Sequence, residues 1–251
     1  MSRRSSWSYV QARLQVRHGE RLTEGDWRAL EAARSPDHFI DGLHATALRR
    51  FSERLNAGMS SHAMERALRN AWRDYVAEVA SWPPPEWRPA ILWCAPLADL
   101  STFAALLHGE APRWVQQDAM LAEFFELTQG STMKSPIDVL LPGPKREPTL
   151  EKRWYANWRS LWPQGGREGR ALTVLAGIVK AHVASLDRAG LQDASAAYRR
   201  TLAQAVTGMF RRHSASPIAV FCHLALVALD LERLRGGIVR RALFAATREA
   251  A

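Results

Sequence analysis

The stretch SHAMERALRNAWRDYVAEVASW, residues 61–82, decides the fold. Met64, Ala67, Leu68, Ala71, Trp72, Tyr75, Val76 and Val79 recur at i, i+3, i+4 spacing, which lays one apolar stripe along a single helix face. Glu65 and Arg69 stand four apart and are expected to pair on the opposite face. Pro83, Pro84 and Pro85 follow at once, and proline cannot continue the backbone hydrogen-bond ladder.

Outward from this helix the same period recurs, and no stretch alternates apolar and polar residues in the manner of a strand. Thr23 with Asp26 reads as a capping box before a short helix reaching Arg34. Ser35 caps, and Pro36 opens, a helix carrying Phe39, Ile40 and Leu43. Pro96 opens another, with Leu97, Leu100, Phe103, Ala104 and Leu107 on one side and Gly109 as its stop. A further helix runs from Pro112 through Leu127. Pro136, Pro142, Pro144 and Pro148 mark Gln129 to Thr149 as a linker with one helical turn. Trp154, Trp158 and Trp162 then form an i, i+4, i+8 aromatic stripe, read as core or helix–helix contact. After the break at Gly165, Gly166 and Gly169, three long helices are expected, over 168–187, over 191–212 and from Ser216 onward. Gly236 and Gly237 are expected to kink or divide the last. The fold class is therefore all-α, with about ten helices packed on one another. The expected organisation is an N-terminal helical lobe over 1–128, a linker over 129–149 and a C-terminal helical lobe over 150–251.

Composition bounds the function. The chain has 251 residues, 47% apolar and 24% charged, an ordinary globular balance that needs no disulfide or metal to fold. The two cysteines, Cys94 and Cys222, have neither metal-type nor redox-type spacing and fit a reducing compartment. Met1 to Trp7 has two arginines with no apolar stretch behind them, so no signal peptide is expected. The longest apolar run, Pro217 to Leu229, contains His223 and is too short to span a bilayer. The net charge of +9 rests almost wholly on arginine. It fits an acidic partner, nucleic acid or an anionic surface as well as a solvated arginine-rich exterior.

Catalytic signatures are sparse. No phosphate-cradling Gly-x-x-x-x-Gly-Lys loop, nucleophile elbow or His-Glu-x-x-His zinc motif occurs. Gly165-Gly166-Arg167-Glu168-Gly169 follows no strand and reads as a turn. His38 and His44 lie six apart, and Cys222 and His223 point to different faces, so neither pair makes a ligand set. Asp230 and Glu232, two apart on a helix, do not face each other as a general acid and base would. Arg199, Arg200, Arg211 and Arg212 could lie along one helix and touch phosphates, but no nucleic-acid motif frames them. No cofactor, metal or catalytic residue is expected.

Two ends of the chain carry a likeness. Near the N-terminus stand Tyr9-Val10-Gln11-Ala12-Arg13, then Leu22, Trp27, Leu30, Phe39, Leu43 and Thr46 in order. Glu65, Leu68 and Tyr75 follow before the proline break, and then Leu97-Ala98-Asp99-Leu100 and Leu106-Leu107-His108-Gly109. The C-terminal stretch gives Pro217, Leu229-Asp230-Leu231-Glu232-Arg233-Leu234-Arg235 and Ile238-Val239. In this order the chain resembles the C-type connector of V/A-type rotary ATPases, called d in eukaryotes. It has Leu48 where the family carries a tyrosine, and lacks the family's asparagine beside Asp99. The likeness covers about the first 110 and the last 40 residues and is weak between them. The chain is shorter than the usual member by the equivalent of a lobe.

The resemblance implies pseudo-repeated helical lobes in a funnel, here lacking one. Leu97-Ala98-Asp99-Leu100 and Ala228-Leu229-Asp230-Leu231 echo each other as such a repeat would. It implies a non-catalytic component on the cytoplasmic face of the membrane. That component links the proteolipid ring to the central stalk and passes torque for proton or sodium transport, reaching the membrane only through partners. Arg13, Arg17, Asp99, Asp230, Glu232 and Arg235 are the polar positions expected to contact those partners. The alternative is a basic helical nucleic-acid-binding or adaptor module outside any ATPase.

Overall fold

The computed structural model describes residues 3–110, 112–143, 149–164, 168–189 and 192–249, without the side chains of 3–5, 182–196 and 242–249. Among the described residues all regular structure is helical. In order come α1 (Arg3–Gly19), α2 (Glu24–Glu31), α3 (Pro36–His44), α4 (Arg49–Ser52), α5 (Ser61–Ala80), α6 (Arg88–Leu92), α7 (Leu100–Leu107), α8 (Ala119–Thr128), α9 (Leu150–Ser160), α10 (Gly169–Ala189), α11 (Gln192–Arg212) and α12 (Pro217–Glu249). Short 3-10 turns at Pro85–Trp87, Ala95–Asp99, Arg113–Gln117 and Asp138–Leu140 join some of them. The all-α reading therefore holds.

Local chemistry places the helix ends. Thr23 accepts from the Asp26 backbone while the Asp26 carboxylate accepts from the Thr23 backbone, completing the capping box of α2. Ser35 caps α3 with Pro36 at its first position. Ser60, one residue before the expected start, caps α5. The expected Pro96 and Pro112 helices begin instead as 3-10 turns, and the α-helical parts start later, at Leu100 and Ala119. At the first of these breaks the indole Nε1 of Trp72 donates to the carbonyls of Cys94 at 3.2 Å and Ala95 at 3.1 Å. These backbone groups would otherwise be buried without a partner. At the second, Asp118 accepts from the backbone of Met120 and Leu121 and so caps α8.

Helix α5 is the hub. Its buried stripe of Met64, Leu68, Trp72, Tyr75, Val76 and Val79 packs against α4, α6, the Ala95–Asp99 turn and α12. Ala67 and Ala71 are half-buried, packed against the core at the edge of the stripe, and also line a cleft. The expected Glu65–Arg69 pair does not form. Arg69 is buried and turned toward Asp99 and Asp118, while Glu65 pairs with Arg235 on α12. A guanidinium that gains two inward carboxylates has no reason to stay on the solvent face.

One hydrophobic cluster runs through residues from both sides of 129–149. Helix α12 makes the bridge: it packs on α10 and α11 and also on α1, α3 and α5. It runs on past Gly236 and Gly237 without the expected division. Gly237 serves close packing: a Cβ there would stand 2.6 Å from Cζ of Phe39. Near its far end the Arg241 guanidinium donates to the carbonyls of Glu31 at 2.9 Å and Ala33 at 2.7 Å, answering the C-terminus of α2, and lies over the Phe39 ring.

The tryptophan stripe is core, as its spacing predicts. Trp158 is buried, stacks on Trp154 and meets Trp162 edge-on. Trp93 and Trp154 exchange reciprocal indole-to-carbonyl hydrogen bonds at 3.0 and 3.1 Å. Among the described residues Pro85–Leu107, and not Pro217 to Leu229, is long and apolar enough by length and composition to cross a membrane. Here it is broken into two 3-10 turns, α6 and α7, with Asp99 in its middle.

Candidate interaction surface

Three buried aspartates, Asp99, Asp118 and Asp230, organise the charges. Asp99, at the end of a 3-10 turn, is fully enclosed. Arg73 of α5 donates to its Oδ2 at 2.7 Å from Nη2, and from Nη1 reaches Asp118 and Asn70 at 3.0 and 2.9 Å. Arg69 approaches the same two carboxylates, with its guanidinium 5.0 Å from the Trp114 ring. Two arginines thus face two aspartates in the interior, so the node is neutral overall. Burial pushes the Asp99 carboxyl above its usual range, against the pull of Arg73.

Asp230 sits within α12 and is buried. Arg21, just past α1, grips it bidentately, Nε to Oδ2 at 2.7 Å and Nη2 to Oδ1 at 2.8 Å. The two sequence echoes therefore share one arrangement: an aspartate on one element held by an arginine from another. They differ in backbone, Asp99 ending a 3-10 turn and Asp230 lying inside a long α-helix. Both carboxylates are taken up by arginines inside the fold, Asp99 completely and Asp230 nearly so. A buried charge is stable only when paired, and each carboxylate has its arginine.

The other four predicted positions lie nearer the surface. Arg17, half-buried, reaches Glu78 at 3.1 Å and Glu20 at 3.5 Å. Arg235 pairs with Glu65, and the exposed Glu232 stands 3.9 Å from Arg199. Arg13 meets no carboxylate among the described residues. Its guanidinium lies over the rings of Tyr9 at 5.3 Å and Trp82 at 5.0 Å. Of these four, Arg13 and Arg17 share α1, and Glu232 and Arg235 share α12.

A cleft of about 350 Å³ opens between α1, α4 and α5, lined by Arg17, Arg50, Arg54, Asp74, Tyr75 and Glu78 among others. Tyr75 closes its floor and meets buried His223 of α12, hydroxyl to Nε2, at 2.7 Å. Burial, reinforced by Arg21, His18, Arg17 and Arg50, lowers the His223 pKa to about 3. Burial also pushes Tyr75 up to about 12. A neutral imidazole and a neutral phenol form an internal tether here, unsuited to moving protons near neutral pH. Cys94 and Cys222 are buried and free, their thiols pushed up to about 12, which leaves them unreactive packing groups. Among the described residues no group of three or more His, Cys, Asp or Glu could hold a metal.

Sequence reasoning missed Arg21, Arg69, Arg73, Asp118 and the Tyr75–His223 tether. Arg69 and Arg73 carried a usable signal: they flank Trp72 and sit at helical spacing beside Val76, on the edge of the buried stripe. Arg21 lies in a turn outside any period and carried none. No protein-family model, curated protein or solved structure matches the chain.

Proposed function

We propose that this chain is a non-catalytic connector of a V/A-type rotary ATPase, of the C or eukaryotic d type. In that role it joins the proteolipid ring to the central stalk at the cytoplasmic face and passes torque for proton or sodium transport. One observation supports the reading above others: the two stretches that carry the resemblance, far apart in sequence, pack into one body. Helix α12 lies across α1, α3 and α5. It is fixed there by Arg21–Asp230, by Arg233 to Glu24 and Glu31, by Arg235–Glu65 and by Arg241 on the end of α2. A connector needs such cross-bracing, since torque passes only through a body whose parts do not slip. The role requires no bond chemistry.

Pull-down of the tagged chain from its native membranes, with mass spectrometry, tests the reading. Recovery of the proteolipid ring and central-stalk proteins upholds it. Reproducible recovery of other proteins without these refutes it. The second reading, a basic helical nucleic-acid-binding or adaptor module, draws on the +9 charge. Binding to generic DNA that falls steeply with salt would favour it.

A further inference from the structure

Helix α1 is apolar on two sides. Val10 and Leu14 face inward and are buried. Tyr9, Ala12 and Val16, at i, i+3 and i+7, form a second seam on the outside, with Tyr9 54% and Val16 61% exposed. An apolar seam on the outer face of a helix already anchored on its inner face offers a second surface for a neighbour. The charges point the same way. The sequence of α1 contains four arginines and no Asp or Glu. Beside the outer seam Arg13 lacks a carboxylate among the described residues, as several other exposed arginines do, but it alone lies over two aromatic rings. Its fork is held in place by the rings of Tyr9 and Trp82. A positioned guanidinium at the edge of an apolar seam is prepared for a carboxylate at little cost in ordering.

We propose that the outer face of α1 docks an acidic amphipathic helix of a protein partner. That helix lays a small apolar ridge along Tyr9, Ala12 and Val16 and sets a carboxylate on Arg13. Ala12 in the middle of the seam lets the two backbones approach closely. The seam is one residue wide, which suits a helix-to-helix contact and not insertion into a lipid surface, where a broad apolar face is needed. A phosphate backbone would leave the seam uncovered. The inference stands on α1 alone and goes beyond the connector reading, which names no contact face.

A photoreactive residue in place of Val16, in the full chain in its native cells, tests the proposal. Irradiation is followed by mapping of the labelled peptide. The expected label falls within a helical segment carrying at least two carboxylates spaced three or four apart. Arg13→Glu, which alters only an exposed side chain, should then cut labelling about tenfold. Changing the facing carboxylate to arginine should restore it. Label on lipid, on nucleic acid or on a segment without carboxylates overturns the proposal, as does label no stronger than from the same group at exposed Val239. If the labelled helix belongs to a protein outside the ATPase, this inference stands and the connector reading falls.

Discussion

The interior of this protein and the outer face of α1 treat arginine in opposite ways. Around Asp99 each guanidinium faces carboxylates: Arg73 meets Asp99 and Asp118, and Arg69 approaches both. On α1 the exposed Arg13 rests on two aromatic rings and meets no carboxylate among the described residues. The difference separates charge that shapes the fold from charge left over for contact. A buried pair is costly to break because the surviving ion is stranded, whereas an exposed ion loses little when altered.

The largest effect should come from breaking the interior node. Asp99→Ala leaves Arg73 and Arg69 facing a single carboxylate, and a loss of about 3–5 kcal/mol in urea unfolding is expected. A loss similar to that of a surface substitution would erase the contrast. Next comes acid. His223 is neutral in the fold, with a pKa of about 3 against 6.5 when free. As pH falls below 6.5 the unfolded chain takes up that proton first. The stability contributed by neutral His223 is therefore complete above 6.5 and drains away down to about 3, by about 1.4 kcal/mol per pH unit. The lowered pKa of His18 acts in the same direction. The raised Asp99 and Asp230 act in the opposite direction, since their protonation is easier in the fold. Comparing urea midpoints of wild type and His223→Gln from pH 7 to pH 4 isolates the His223 share: the variant should show the shallower slope, and equal slopes would refute the assignment.

A smaller effect is expected at the α12 crossing. Gly237→Ala places a methyl against Phe39 and should cost about 1–3 kcal/mol, the helix-propensity gain notwithstanding. If thermal unfolding instead moves upward, the crossing is looser than it looks and the cross-bracing argument weakens. Smallest of all is Arg13→Ala, expected to change stability by less than about 1 kcal/mol because its contacts are exposed cation–π stacking. A large loss there would place Arg13 among the structural charges and collapse the comparison.

Periodicity and capping chemistry are legible in the sequence. The stripe of α5, the box at Thr23 and Asp26, and the proline openings of α3 and α12 each depend on residues close in the chain, so local rules find them. Long-range ion pairing is not. Asp99 finds Arg73 and Asp230 finds Arg21 only once distant helices have packed; an arginine on the edge of an apolar stripe signals that it turns inward, but not which carboxylate it meets. For the same reason spacing alone matches Glu65 with Arg69 in its own helix, while Arg235 on α12 holds it. Gly237 reads as a breaker because its use, clearance for Phe39, belongs to the packing and not to the helix that contains it.

The connector role is tested most directly by removing the chain from its cells and measuring how much of the ATP-hydrolysing head of the rotary ATPase stays on the membranes. The account predicts that the head leaves the membranes and that ATP-driven ion transport is lost, both restored by the intact chain. Heads that stay in place with transport unchanged would contradict it.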